Sequence, residues 1–198
     1  MIYNIVLDRL PSEYKGYLIR TDFRIGIMIN NCLSDNELTQ EQRILSALSL
    51  LFGAGIPRDN NGEVDFKLAY AGLVWFLSCG QKEINFDEID NEPANNEPDV
   101  MDFNQDIRYI YSAFVKCYNK DLCREKMHWF EFIALLNDIS DCMMTNIIDI
   151  RTTDTKDIDK KHKSKFMKLK RKYEIDRPVE VTEEQIKNKK RFEELLGE

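Results

Sequence analysis

Two histidines, five cysteines and one long acidic stretch are the side chains of this 198-residue chain whose types could do chemistry. His128 stands directly before Trp129 and Phe130, while His162 lies inside a run of lysines. A general base or a metal ligand needs partners at a defined spacing. Cys32, Cys79, Cys117, Cys123 and Cys142 supply none, because they are odd in number, widely spaced and without a CxxC or CxxCH pattern. Neither a disulfide framework nor a zinc cluster is written in such spacing, and reduced, packed thiols are expected. His128, at the start of a predicted helix with Trp129 and Phe132 pointing inward, reads as a packed residue whose ring bonds to backbone rather than as a catalyst.

Between Lys82 and Arg108 the chain carries nine acidic residues, from Glu83 to Asp106, and no Lys or Arg. Calcium takes roughly six to eight oxygen ligands. The run Asp87-Glu88-Ile89-Asp90-Asn91-Glu92 nevertheless lacks the glycine at the sixth loop position and the closing Glu of an EF-hand. Carboxylates that work as acid and base must be buried to separate their pKa values, which a loop broken by Pro93 and Pro98 does not provide. The GxGxxG, phosphate-loop, GxSxG and HExxH patterns are absent. No catalytic, cofactor-binding or metal-binding residue is therefore assigned. The expectation is a protein that acts by binding and is not an enzyme.

The net charge of −7 hides an asymmetry. Residues 1–150 carry 13 Lys and Arg against 24 Asp and Glu, a net of −11, whereas residues 151–198 carry 15 against 11, a net of +4. An acidic helical body over residues 1–151, with an acidic loop at residues 83–103, and a basic, solvent-exposed helical tail over residues 152–198 are expected. The cluster at residues 156–172 could neutralise phosphates. Arginine, which reads base edges, is nearly absent from it, and the acidic body would repel a nucleic-acid backbone. A solvated helical face, or one that docks to an acidic protein surface, is the preferred reading; a nucleic-acid-binding regulator using residues 156–172 is the alternative. The longest apolar stretch, at residues 69–79, is about half of the roughly 20 residues that span a bilayer, so no membrane partner is expected. Asp8 and Arg9 stand where a signal peptide needs an apolar run. The chain is expected to work in the compartment where it is made.

The elements that would position these residues are mostly helical. Ile2, Val6, Tyr17 and Ile19 favour strands around the turn-forming Pro11-Ser12-Glu13-Tyr14-Lys15-Gly16, which predicts a hairpin over residues 3–20. Thr21 is the expected N-cap of a first helix with Phe23, Ile27 and Leu33 on one face. Thr39 with Gln42 forms a capping box for a second, striped by Ile44, Leu45, Leu48, Leu51 and Phe52 and stopped by Gly53. Phe66, Ala69, Tyr70, Leu73, Val74 and Leu77 stripe a central helix that ends at Gly80. Ile107, Ile110, Tyr111, Phe114, Val115 and Tyr118 stripe another, paired through a short turn with Trp129, Phe132, Ile133 and Leu136. The fold class is thus mainly α: a small N-terminal β-hairpin, a compact helical bundle and a charged helical tail. After Pro178 a last polar helix carries Ile186, Phe192, Leu195 and Leu196, a thin apolar stripe that forms the candidate partner-binding face.

Four blocks in this order resemble a family of small bacteriophage proteins named for gene product fifteen. They are Thr21-Asp22-Phe23-Arg24; Leu73-Val74-Trp75-Phe76-Leu77-Ser78-Cys79-Gly80; Asp102-Phe103-Asn104-Gln105-Asp106 with Ile110-Tyr111-Ser112-Ala113-Phe114; and His128-Trp129-Phe130-Glu131-Phe132, leading to Ile147-Ile148-Asp149-Ile150-Arg151. The resemblance runs over about residues 10–173. It implies a helical, non-enzymatic tail assembly chaperone of phages and prophages of low-GC Gram-positive bacteria, without cofactor. Such a protein binds the tape measure protein, with the tail tube protein as a further partner. It acts in the host bacterial cytoplasm and is absent from the mature virion. Self-association is left open.

Overall fold

The computed structural model describes residues 4–82, 100–156 and 158–176. Among them the hairpin is short: β1 (Glu13–Tyr14) pairs antiparallel with β2 (Tyr17–Leu18), turning through Lys15 and Gly16, both at positive φ. The strand pairing expected over residues 3–20 therefore contracts to six residues, 13–18. Asn4 is the reason. Its Oδ1 accepts from the backbone of Val6 and Leu7, and Asp8 Oδ2 accepts from Asn4 N, so the segment closes into a local turn instead of a ladder. The hairpin's contribution to the core is Tyr14, which is buried and lies 5.2 Å from the Trp75 ring.

Seven helices follow among the described residues. The first, α1 (Phe23–Leu33), is capped by Asp22 rather than Thr21: the Asp22 side chain accepts from Arg24 N. A short carboxylate at the N-cap suits the positive end of the helix dipole. Helix α2 (Gln40–Phe52) begins with the capping box of Thr39 and Gln42 and ends at Gly53, whose φ of 59° lies in the left-handed region. Helix α3 (Phe66–Leu77) is capped by Asp65 and closed by Gly80, whose N–H returns to Trp75 O. Then come α4 (Phe103–Tyr118), α5 (Trp129–Asn137), α6 (Met143–Thr152) and α7 (Lys160–Lys172).

The core is a chain of aromatic rings that joins these helices. Phe132 of α5 stacks on Phe23 of α1 at 4.8 Å and on Phe114 of α4 at 5.1 Å; Trp129 reaches Phe76 of α3 at 6.0 Å. Such ring pairs add about 0.5–1.5 kcal/mol each beyond the area they bury. Helices α1 and α2 pack against each other along their length, and α5 enters beside α1 through two backbone bonds, Phe23 N to Met127 O and Trp129 N to Thr21 O. The expected pairing of α4 with α5 is made by the Phe114–Phe132 stack and by Tyr118 Oη donating to Leu135 O.

The face of α4 differs from the expected stripe. Ile110, Ala113, Phe114 and, unexpectedly, Asp106 are buried, whereas Ile107, Tyr111 and Val115 are each at least 36% exposed. The buried arc is centred one position away from the apolar residues because it includes a carboxylate that only a tertiary partner could bury. Leu45 of α2 is likewise on the surface.

Candidate partner-binding surface

The residues singled out as the partner face, Ile186, Phe192, Leu195 and Leu196, lie outside the described residues. Among those described, a groove of about 670 Å³ opens between α2 and α3, with Leu33 and Leu38 at one end and Ile44, Tyr70, Val74 and Leu77 along its walls. Tyr70, Val74 and Leu77 follow the i, i+4, i+7 spacing of one helical face and are all half-buried. A second groove of about 410 Å³ adjoins it at Leu77, lined by Ile5, Cys79, Phe130 and Ile133. Polar groups on the rim are Thr39, Gln40 and Arg43. In the second groove burial pushes the Cys79 thiol up to about 11, which keeps it protonated.

Reading the chain placed Tyr70, Val74 and Leu77 in the core. The signal against that was present. Ala69, Leu73 and Phe76 already fill the inward face of α3, with Ala71 and Trp75 beside them. A helix apolar nearly all round in a small bundle leaves part of its surface for something else.

His128 is where the expected packing role is visible. Its Nε2 lies 2.9 Å from Pro11 O, an atom that only accepts, so Nε2 carries the proton and Nδ1 is free to accept from Phe130 N at 3.0 Å. The imidazole is the N-cap of α5 and the clamp on the segment before the hairpin. Burial lowers its pKa from 6.5, outweighing the Pro11 carbonyl and the Glu131 carboxylate that favour the charged form. A lowered folded-state pKa means that stability is intact above about 6.5 and is lost as pH falls through that value toward the folded one, because the unfolded chain takes up the proton first. His128→Asn, which keeps a capping side chain but cannot titrate, is expected to flatten this slope. Urea midpoints measured at pH 7.5 and 5.5 should then fall less in the variant than in the parent. An identical fall in both would remove His128 from the pH response.

Arg151 is the structural residue that the sequence did not disclose. Its Nη1 and Nη2 donate to Asp106 Oδ2 and Oδ1 at 2.6 and 2.9 Å, Nη1 also donates to Val100 O, and Nε donates to Tyr173 O. One guanidinium thus ties α6 to α4, to the chain entering α4 and to the end of α7. Gln105 completes the clamp, donating to Glu174 O and accepting from Asp176 N.

No group of three or more His, Cys, Asp or Glu among the described residues could hold a metal ion, and no described helix is long and apolar enough to cross a membrane. Helical architecture, the α2–α3 groove and the α5 cap describe a mainly helical protein with an open groove on one side. The model of the family described as Bacteriophage Gp15 protein matches residues 6–175, and the chain belongs to that bacteriophage family. No curated protein and no solved structure matches it significantly.

Proposed function

We propose that the chain is a phage tail assembly chaperone that binds the tape measure protein and assists tail tube assembly in the host bacterial cytoplasm, without catalysing a reaction. The observation that supports the binding role is the open α2–α3 groove, whose half-buried apolar wall of Tyr70, Val74 and Leu77 has the anchor spacing of a helix-in-groove site. An unassembled, apolar helical partner needs such a face to stay in solution, and a surrounding net charge of −11 over residues 1–150 keeps loaded molecules apart. Membership of the bacteriophage Gp15 family supports the phage setting. The tail tube protein is a further partner in this reading, and the C-terminal stripe of Ile186, Phe192, Leu195 and Leu196 is a second candidate contact.

Co-expression with the tape measure protein of the same phage tests it. The intact chain should raise that protein's soluble yield and purify with it. Leu38→Ser with Val74→Ser, two half-buried positions in the groove wall, should weaken capture roughly thirtyfold or more, since each buried apolar side chain contributes about 1–2 kcal/mol. The variant should still unfold cooperatively, with a melting temperature lowered by only a few degrees. A tape measure protein that remains insoluble beside the intact chain refutes the chaperone reading. Capture that survives the groove changes but is lost on changing Ile186, Phe192 and Leu195 together moves the contact to the C-terminal segment.

A further inference from the structure

The groove does not use the strongly basic surface of α7. Residues 156–172 hold nine Lys or Arg against Asp157 and Asp159. Lys161, Lys165, Lys168 and Lys172 are all exposed and follow i, i+4, i+7 and i+11, which puts them in one row along the helix, roughly 17 Å long. Lys163 and Arg171 widen the exposed basic surface. Among the described residues none of the four row lysines makes an ion pair; Lys172 Nζ stands over the Tyr173 ring, 5.1 Å from its centre. The row stands on a fixed base. Phe166, Leu169 and Tyr173 are half-buried, Tyr109 and Tyr173 meet edge to face at 6.4 Å, Lys170 Nζ donates to Thr153 O at 2.7 Å, and Arg151 holds Tyr173 O.

We propose that this row is a docking ridge for an acidic helix of a protein partner, recognised through carboxylates repeating on one face. The helix backbone fixes the spacing of the four lysines, so a partner whose carboxylates repeat at the same spacing engages them together. Lysines supply point charges without the planar fork that reads a guanine edge, Arg171 is the one exposed arginine of the helix, and no exposed Phe, Tyr or Trp stands on α7 to stack a base. The body's net charge of −11 works against a long polyphosphate, whereas a short acidic helix meets only the ridge. The ridge shares no residue with the groove, and the inference does not depend on the chaperone reading.

Fluorescence anisotropy on the full chain decides it, with a labelled helical peptide of about 16 residues bearing Glu at i, i+4, i+7 and i+11. The control is a peptide of identical composition with its Glu residues spread around the helix. The aligned peptide is expected to bind roughly tenfold tighter than the control, as four exposed pairs at a few tenths of a kcal/mol each allow, and to be released at high salt. Charge reversal of all four row lysines to Glu should abolish this preference and transfer it to the peptide with Lys at the same positions. If the reversed variant does not fold, Lys→Gln at the four positions, a change neutral in helix propensity, serves the same purpose. Equal binding of the two peptides, binding unaffected by the changes, or tighter binding of a 16-bp DNA duplex than of the aligned peptide each overturns the proposal.

Discussion

Replacing Arg151 by Met is expected to destabilise the folded chain by about 3–5 kcal/mol, the cost of leaving a buried carboxylate without its counter-charge. The side chains of Arg151 and Asp106 are 8% and 1% exposed, so solvent cannot take over when the guanidinium goes. Asp106 Oδ2 would retain only the bond from Asp102 N at 2.9 Å. Two carbonyl oxygens, Val100 O and Tyr173 O, would lose their donor at the same time. Asp106→Asn in the Arg151→Met background removes the charge but keeps an oxygen for Asp102 N, and should recover a large part of the loss. Urea unfolding of the four members of this cycle measures the coupling, expected to be about 2 kcal/mol or more. Additive losses would show that Arg151 acts through the carbonyls alone. Hydrogen exchange separates the local consequence: amides of α7 should lose protection in Arg151→Met beyond the global change, because Tyr173 O is the anchor of its C-terminal end.

That pair also shows where reading the chain stops. Helix boundaries set by neighbours in sequence were legible: Thr39 and Gln42 cap each other three residues apart, and Gly53 and Gly80 end their helices by a local change of φ. The position of α7 as a mostly exposed basic helix follows from composition in the same way. Asp106 and Arg151 stand 45 residues apart, and each alone reads as a surface charge. Without that partner the stripe of α4 was drawn through Ile107, Tyr111 and Val115, which the fold leaves partly in solvent. The N-terminal strand failed for the opposite reason, because Asn4 and Asp8 satisfy the backbone locally where β-propensity alone argued for a ladder. The groove was hidden by its own residues, since Val74 and Leu77 look like core until Ala69, Leu73 and Phe76 are seen to fill the core side of the helix.

Gly26→Ala is the second large effect, and its sign is set by a contest between local and tertiary terms. Gly26 lies inside α1, where alanine is favoured by about 1 kcal/mol on helix propensity. A Cβ built on Gly26 would stand 2.1 to 2.5 Å from three carbons of the six-membered ring of Trp129. That ring has no room to retreat: Trp129 is 2% exposed and is bounded by Phe76 at 6.0 Å, Phe103 at 6.0 Å and Phe132 at 5.8 Å. The overpacking cost therefore exceeds the propensity gain, and a net loss of about 3 kcal/mol is expected. Trp129→Phe identifies the cause. Alone it opens a cavity costing about 1–2 kcal/mol, partly offset because the buried indole Nε1 has no hydrogen-bond partner among the described residues and its loss removes that donor. Combined with Gly26→Ala, the smaller ring makes space for the new methyl, so the double variant should be more stable than Gly26→Ala alone. Thermal and urea unfolding of the four proteins give the comparison. A Gly26→Ala protein as stable as the parent would mean that α1 and α5 pack less closely at this crossing than the 2.1 Å approach requires.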